Sequence, residues 1–112
     1  DNRCLALTTL EDAAQSVSTS WYLWYASGLA AIDLAETMHA YGPQAAPYAP
    51  GEAPGSLATT DERRAACSAL RAQSPASLLD RARSDLRTAL SRSPLEPAVL
   101  NSLAILETQN PN

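Results

Sequence analysis

The sequence predicts an all-α protein of about four helices, an antiparallel bundle or a set of helix hairpins, with one long Pro-rich loop. Three observations carry this. The apolar residues are 22 Ala and 16 Leu against two Val, two Ile and no Phe. Ala and Leu lose little side-chain freedom in a helix, whereas strands favour the β-branched and aromatic residues that are scarce here. Apolar positions also recur at alternating spacings of three and four, the stripe of a helix with one buried face, and cap and stop residues punctuate the chain. At 112 residues it is long enough for a single domain, 1–112, built on one core.

The first helix is expected over 9–40. Thr8 with Glu11 three residues on forms a capping box that would satisfy free amides at a helix start. From there Leu7, Leu10, Ala14, Val17, Trp21, Trp24, Gly28, Ala31, Ala35 and Met38 keep one stripe. This reads as one continuous helix. The alternative is two pieces broken near Ser16 to Ser20, where hydroxyls offer the backbone competing hydrogen bonds. His39, near the helix end, would meet the helix dipole favourably and is read as a capping or surface residue. A catalytic role would need a nucleophile or second acid–base group beside it, and Asp33 and Glu36 are only helical neighbours.

Gly42 and Pro43 stop that helix. The stretch 42–58 holds four prolines and three of the four glycines without apolar periodicity, so it reads as an extended loop. A second capping box, Thr59 with Glu62, opens a helix over 61–72 that carries Cys67. Ser74 followed by Pro75 is an N-cap with proline in the first turn, where its missing amide is harmless. The next helix is expected over 75–92, burying Leu78, Leu79, Ala82, Leu86, Ala89 and Leu90. Its outer face would carry Asp80, Arg81, Arg83, Asp85, Arg87 and Arg92, with Arg81 and Asp85 positioned to pair at i,i+4. Pro94 and Pro97 bracket a turn, and a last helix follows over 97–108 with Val99, Leu100, Leu103, Ala104 and Leu106 apolar.

Charge excludes one class of function. Eight Arg, no Lys and twelve acidic residues give a net charge of −4, which is the wrong balance for a protein that neutralises nucleic-acid phosphates. Arg in place of Lys, with abundant Ala, reflects a GC-rich genome, as in many bacteria. No phosphate-binding Gly loop, Ser–His–Asp motif or CxxC occurs, and one His with two Cys offers little to a metal. No cofactor and no enzymatic activity are therefore expected.

Two cysteines, Cys4 and Cys67, make an even pair in a small chain. A disulfide between them fits a periplasmic or secreted protein and would add about 2–4 kcal/mol of stability; two free thiols would fit the cytoplasm. There is no initiator Met and no basic, apolar leader, so Asp1 reads either as a processed mature end or as an artificial boundary. Ala13 to Ile32 carries no charge over twenty residues, but Gln15, Ser16, Ser18, Thr19, Ser20 and Ser27 make it too polar for a transmembrane segment.

A repeat-like spacing appears towards the C-terminus. Ala82, Leu86, Ala89 and Pro94 follow a small, large, small, proline order, and Leu100, Leu103 and Ala104 fall where a following helix begins. From Ala82 to Leu106 the chain resembles a tetratricopeptide repeat. The resemblance implies paired helices in which small residues permit close approach, large ones fill the groove and proline ends the hairpin. Upstream, Trp24 and Gly28 look like the opening of a repeat's first helix, although Ser27 stands where Leu is expected. Some forty residues separate that helix from its partner, which leaves two readings: a repeat with an insertion from about Glu36 to Ser77, or a chance match in an unrelated helical bundle.

The densest feature is Trp21, Tyr22, Leu23, Trp24, Tyr25, four of the six aromatics in five positions. They cover most of a helix circumference, so they cannot share one core. Trp21 and Trp24 lie on the apolar stripe and are expected inside; Tyr22 and Tyr25 point elsewhere, as rings at protein contacts do. The expected function is a noncatalytic adaptor that docks on another protein through Tyr22 and Tyr25, with Tyr48 of the Pro-rich loop as a second contact. The alternative is an accessory structural subunit of a membrane-associated complex, its aromatic helix lying against the lipid interface or a membrane subunit; an enzyme using His39 ranks third.

Overall fold

The computed structural model describes residues 2–41, 65, 69–70 and 72–109. Among these, four helices are delimited: α1 (Asn2–Ser16), α2 (Trp21–Tyr41), α3 (Pro75–Arg92) and α4 (Pro97–Gln109). No strand occurs among the described residues, so the fold is an all-α bundle. In it α2 packs along α3, α1 leans on α2, and α4 leans on α3.

Local chemistry explains the later helices. The Ser74 hydroxyl accepts the Ser77 amide at 3.1 Å and Pro75 follows as the first helical residue, so α3 starts where its signals stand. It ends at Ser93, whose amide reaches the Ala89 carbonyl at 3.0 Å just before Pro94. Leu78, Ala82, Leu86 and Ala89 are buried and Leu79 and Leu90 partly so, the face expected from the spacing. The helix expected over 97–108 forms as α4 and buries Val99 and Leu106.

The expected first helix over 9–40 is instead two helices, and the first of them begins at Asn2. Thr8 is therefore an interior residue. Its hydroxyl donates back to the Leu5 carbonyl at 3.0 Å and the Cys4 carbonyl at 3.3 Å rather than accepting an amide. The break falls at Val17–Ser20: the Ser20 amide bonds the Val17 carbonyl at 3.0 Å, and the Ser20 hydroxyl caps α2 by accepting the Leu23 amide at 3.4 Å. The freed Ser18 carbonyl accepts two donors, the Trp24 indole at 3.0 Å and the Arg92 guanidinium at 2.7 Å. This turn rotates the stripe off its course, leaving Val17 51% exposed. Trp21 and Trp24, expected in the core, are half-buried at the same corner.

The core runs through Cys4, Leu5 and Leu7 of α1, Ala31, Leu34, Ala35 and Met38 of α2, and Leu78, Ala82 and Leu86 of α3, with Leu70 and Leu106 joining it. Gly28 lets α2 and α3 meet closely. A Cβ placed there would lie 2.9 Å from Leu86 Cγ and 3.3 Å from the Ala82 carbonyl oxygen. The Pro-rich stretch 42–58 lies outside the described residues, as does most of the helix expected over 61–72, of which Ala65, Ala69 and Leu70 are described as helical.

Candidate protein-docking site

Polar residues on the packed faces of α1, α2 and α3 are paired. Asp85, expected on the outer face of α3, is instead 9% exposed, and Ser27 of α2 donates its hydroxyl to it at 2.8 Å. Arg81 does not pair with Asp85 at i,i+4 as expected. It turns to α1, where Nη2 donates to Glu11 Oε2 at 2.7 Å and Nε stands 2.7 Å from Oε1. Burial lifts the Glu11 carboxyl above its ordinary value; the Arg81 charge opposes this, while the neighbouring Asp85 and Asp12 charges add to it. Burial lifts Asp85 as well, against the opposing Ser27 hydrogen bond and Arg81 charge. Both acids are thus occupied in holding α1 and α2 to α3.

Two depressions are lined by described residues. The larger, about 550 Å³, is an open polar hollow along α3 lined by Asp80, Arg83, Ser84, Arg87, Thr88 and Ser91. Its cations are already engaged: Arg83 contacts Asp80 at 2.7 Å and Glu107 at 2.8 Å, and Arg87 reaches Glu107 at 3.4 Å. This is an ion-pair network fastening α4 to α3. The smaller, about 170 Å³, is a mainly apolar furrow between α2 and α4, lined by Leu29, Ile32, Glu36, Ser102, Ile105 and Leu106. Leu29 is 38% and Ile105 50% exposed, two large aliphatic side chains lining the same furrow.

The furrow connects with the expected contact residues. Tyr22, Tyr25, Leu29, Ile32 and Glu36 follow one another on α2 at spacings of three and four, so they share one face. That face lies beside the Gly28, Ala31, Ala35 and Met38 line buried against the rest of the bundle. Tyr22 is 60% exposed, while Tyr25 is half-buried and packs against the core. The rings support each other, Trp21 standing edge-on to Tyr22 at 5.7 Å between centroids and Tyr25 lying 6.3 Å from Tyr22. Tyr48, the second expected contact, lies outside the described residues.

Cys4 is fully buried, and Cys67 lies outside the described residues. His39 is exposed in the last turn of α2. No group of three His, Cys, Asp or Glu side chains converges on a metal-sized space among the described residues. Among the same residues, no helix is long and apolar enough to cross a membrane. No family model, no curated protein and no solved structure matches the chain.

Sequence reasoning singles out Tyr22 and Tyr25 on this face and does not include its aliphatic residues. The signal was present: Leu29 and Ile32 continue the Tyr22–Tyr25 spacing. What the sequence does not supply is the opposite wall, because Ile105 reaches the furrow only through the packing of α4 on α3.

Proposed function

We propose that the chain is a noncatalytic protein-interaction module that docks its partner on the α2 face running from Tyr22 to Glu36 and across the furrow to Ile105. The observation that carries this reading is the pair of exposed aliphatic walls, Leu29 and Ile105, facing one furrow in line with an exposed tyrosine. Apolar surface left uncovered in this way costs solvation free energy until a partner removes it from water.

The α2–α3 hairpin is read as tetratricopeptide-like with a long insertion between its two helices. Support comes from Gly28 of α2 standing against Ala82 and Leu86 of α3, a small-on-large contact between helices separated by more than thirty residues. The module is placed in the periplasm or outside the cell, with Cys4 bridged to Cys67. In favour, Cys67 is the only other cysteine in the sequence and no described cysteine is a free thiol.

Photo-crosslinking in the native source tests the docking face. A photoreactive phenylalanine analogue at position 29 or 105 is expected to give a discrete protein adduct, and the same analogue at Ser84 none. Equal labelling at all three positions, or no adduct at 29 and 105, would remove the assignment. An integral membrane protein as the adduct would move the reading to an accessory subunit of a membrane complex.

A further inference from the structure

The furrow also carries information about the shape and charge of what fills it. Its walls offer almost no hydrogen-bonding groups: among the described lining residues only Ser102 and Glu36 are polar. An extended peptide laid there would bury amides and carbonyls with nothing to pair them, and no sheet edge is present among the described residues to receive a strand. A helix satisfies its own backbone and needs from the furrow only apolar contact. The available length agrees. Tyr22 to Glu36 spans fourteen helical steps, or about 21 Å, a seat for four turns.

Charge fixes one end. Glu36 is the one charged residue among the described lining residues. The neighbouring acid on α2, Asp33, is answered by Arg3 of α1 at 2.9 Å, whereas Glu36 has no ion pair among the described residues. It stands five residues before the end of α2, one turn ahead of the exposed His39. The opposite end of the face is uncharged and aromatic, Tyr22 and Tyr25 leaning on Trp21.

We infer that the partner presents an amphipathic helix of about four turns, with aliphatic side chains along its buried side and a Lys or Arg at the end that meets Glu36. This deepens the docking reading proposed above and rests on it. A furrow ended by a carboxylate that has no ion pair among the described residues favours the direction that brings the cation to Glu36, because reversal would leave that carboxylate facing apolar surface and exchange an ion pair for a weaker contact with the tyrosine rings.

Two end-capped synthetic peptides test this. Each is a fifteen-residue amphipathic helix with leucines along one side, and they differ only in carrying Lys or Glu at one terminal-turn position. Titration into the isotope-labelled chain, followed by amide NMR, is expected to shift resonances within 25–36 and 102–106. The Lys peptide should bind about 5-fold more tightly than the Glu peptide at 50 mM salt, with the gap closing at 500 mM salt. Glu36→Lys, at an exposed position, should keep the helical circular dichroism signal and reverse the preference. Equal affinities at the furrow would overturn the charge assignment and leave the docking face standing. If neither peptide moves the furrow resonances, the helical partner is wrong, and crosslinking at 29 and 105 then decides the docking face independently.

Discussion

Arg81 of α3 grips Glu11 of α1 through two contacts of 2.7 Å across seventy residues of sequence. The guanidinium thereby fixes the orientation of a helix that is otherwise attached to the bundle mainly through α2. Glu11 keeps 13% of its side-chain surface and Arg81 36%, so water screens the pair only in part. Glu11→Ala is expected to cost about 1–2 kcal/mol in chemical denaturation. A double-mutant cycle with Arg81→Ala should show the two losses to be strongly non-additive. Additive losses would mean that the pair is geometric without being energetic.

Gly28 makes a second prediction. Alanine in a helix interior is favoured over glycine by about 1 kcal/mol, so Gly28→Ala would stabilise an exposed helix. Here the new methyl meets Leu86 Cγ at 2.9 Å and the Ala82 carbonyl at 3.3 Å, and Leu86 is fully buried with little room to retreat. The expected result is a net loss of about 1–3 kcal/mol. Adding Leu86→Val, which shortens the opposing side chain, should recover part of that loss, as thermal or urea unfolding would show.

The buried hydroxyl–carboxylate pair predicts a pH dependence. Asp85 is raised from its ordinary 3.8 chiefly by burial. Between the ordinary and the raised value the folded chain holds a proton that the unfolded chain has released. The Asp85 contribution to stability is therefore fully present below the ordinary carboxylate range and declines as pH climbs through the raised value. Asp85→Asn keeps an acceptor for Ser27 and removes the titration. The stability difference, wild type minus variant, should fall as pH rises out of the acid range and then level off. A flat difference would show that Asp85 titrates alike in both states.

Ser27→Ala removes the hydroxyl that reaches Asp85 at 2.8 Å. The volume change is small, so the expected loss of about 1–3 kcal/mol comes from a buried carboxylate left without that donor. Pairing Ser27→Ala with Asp85→Leu should cost less than Ser27→Ala alone, since an apolar side chain needs no partner.

The proposed Cys4–Cys67 bridge predicts a mass two hydrogens lighter before reduction than after it, in protein alkylated from the moment of lysis. Reduction should destabilise the chain by about 4 kcal/mol, the value expected for closing a loop of this length. Two alkylated thiols in the unreduced sample would remove both the bridge and the oxidising compartment.

The legible parts of the fold are those whose signals are local. Ser74 and Pro75 set the start of α3 because an N-cap acts within one turn, and Pro94 follows its end for the same reason. The split between α1 and α2 escapes the apolar pattern because the three–four spacing runs through Val17 and Trp21 without a gap. Only the hydroxyl run from Ser16 to Ser20 hints at it, and Ser20 and Ser18 turn out to supply the cap and the clasped carbonyl. Thr8 and Glu11 have the spacing of a cap, yet spacing cannot distinguish a hydroxyl that accepts an amide from one that donates to a carbonyl. Asp85 reads as solvent-facing because its reason for being inside, Ser27, lies on another helix. The same holds for the apolar furrow: one wall follows from the α2 sequence, and the other exists only once α4 has packed.

The Ser18 carbonyl receives Arg92 from 74 positions away, and Glu11 and Ser27 are tied to α3 over separations of 70 and 58. Helical proteins usually fold fast because most of their contacts are near in sequence. This one must close a long loop before α1 and α2 gain their polar ties to α3, so its refolding should be slow for an all-helical chain of this size. Residues added within the Pro-rich stretch 42–58 would add little to that closure entropy, which grows only with the logarithm of loop length, whereas additions beside Leu70 would disturb the core.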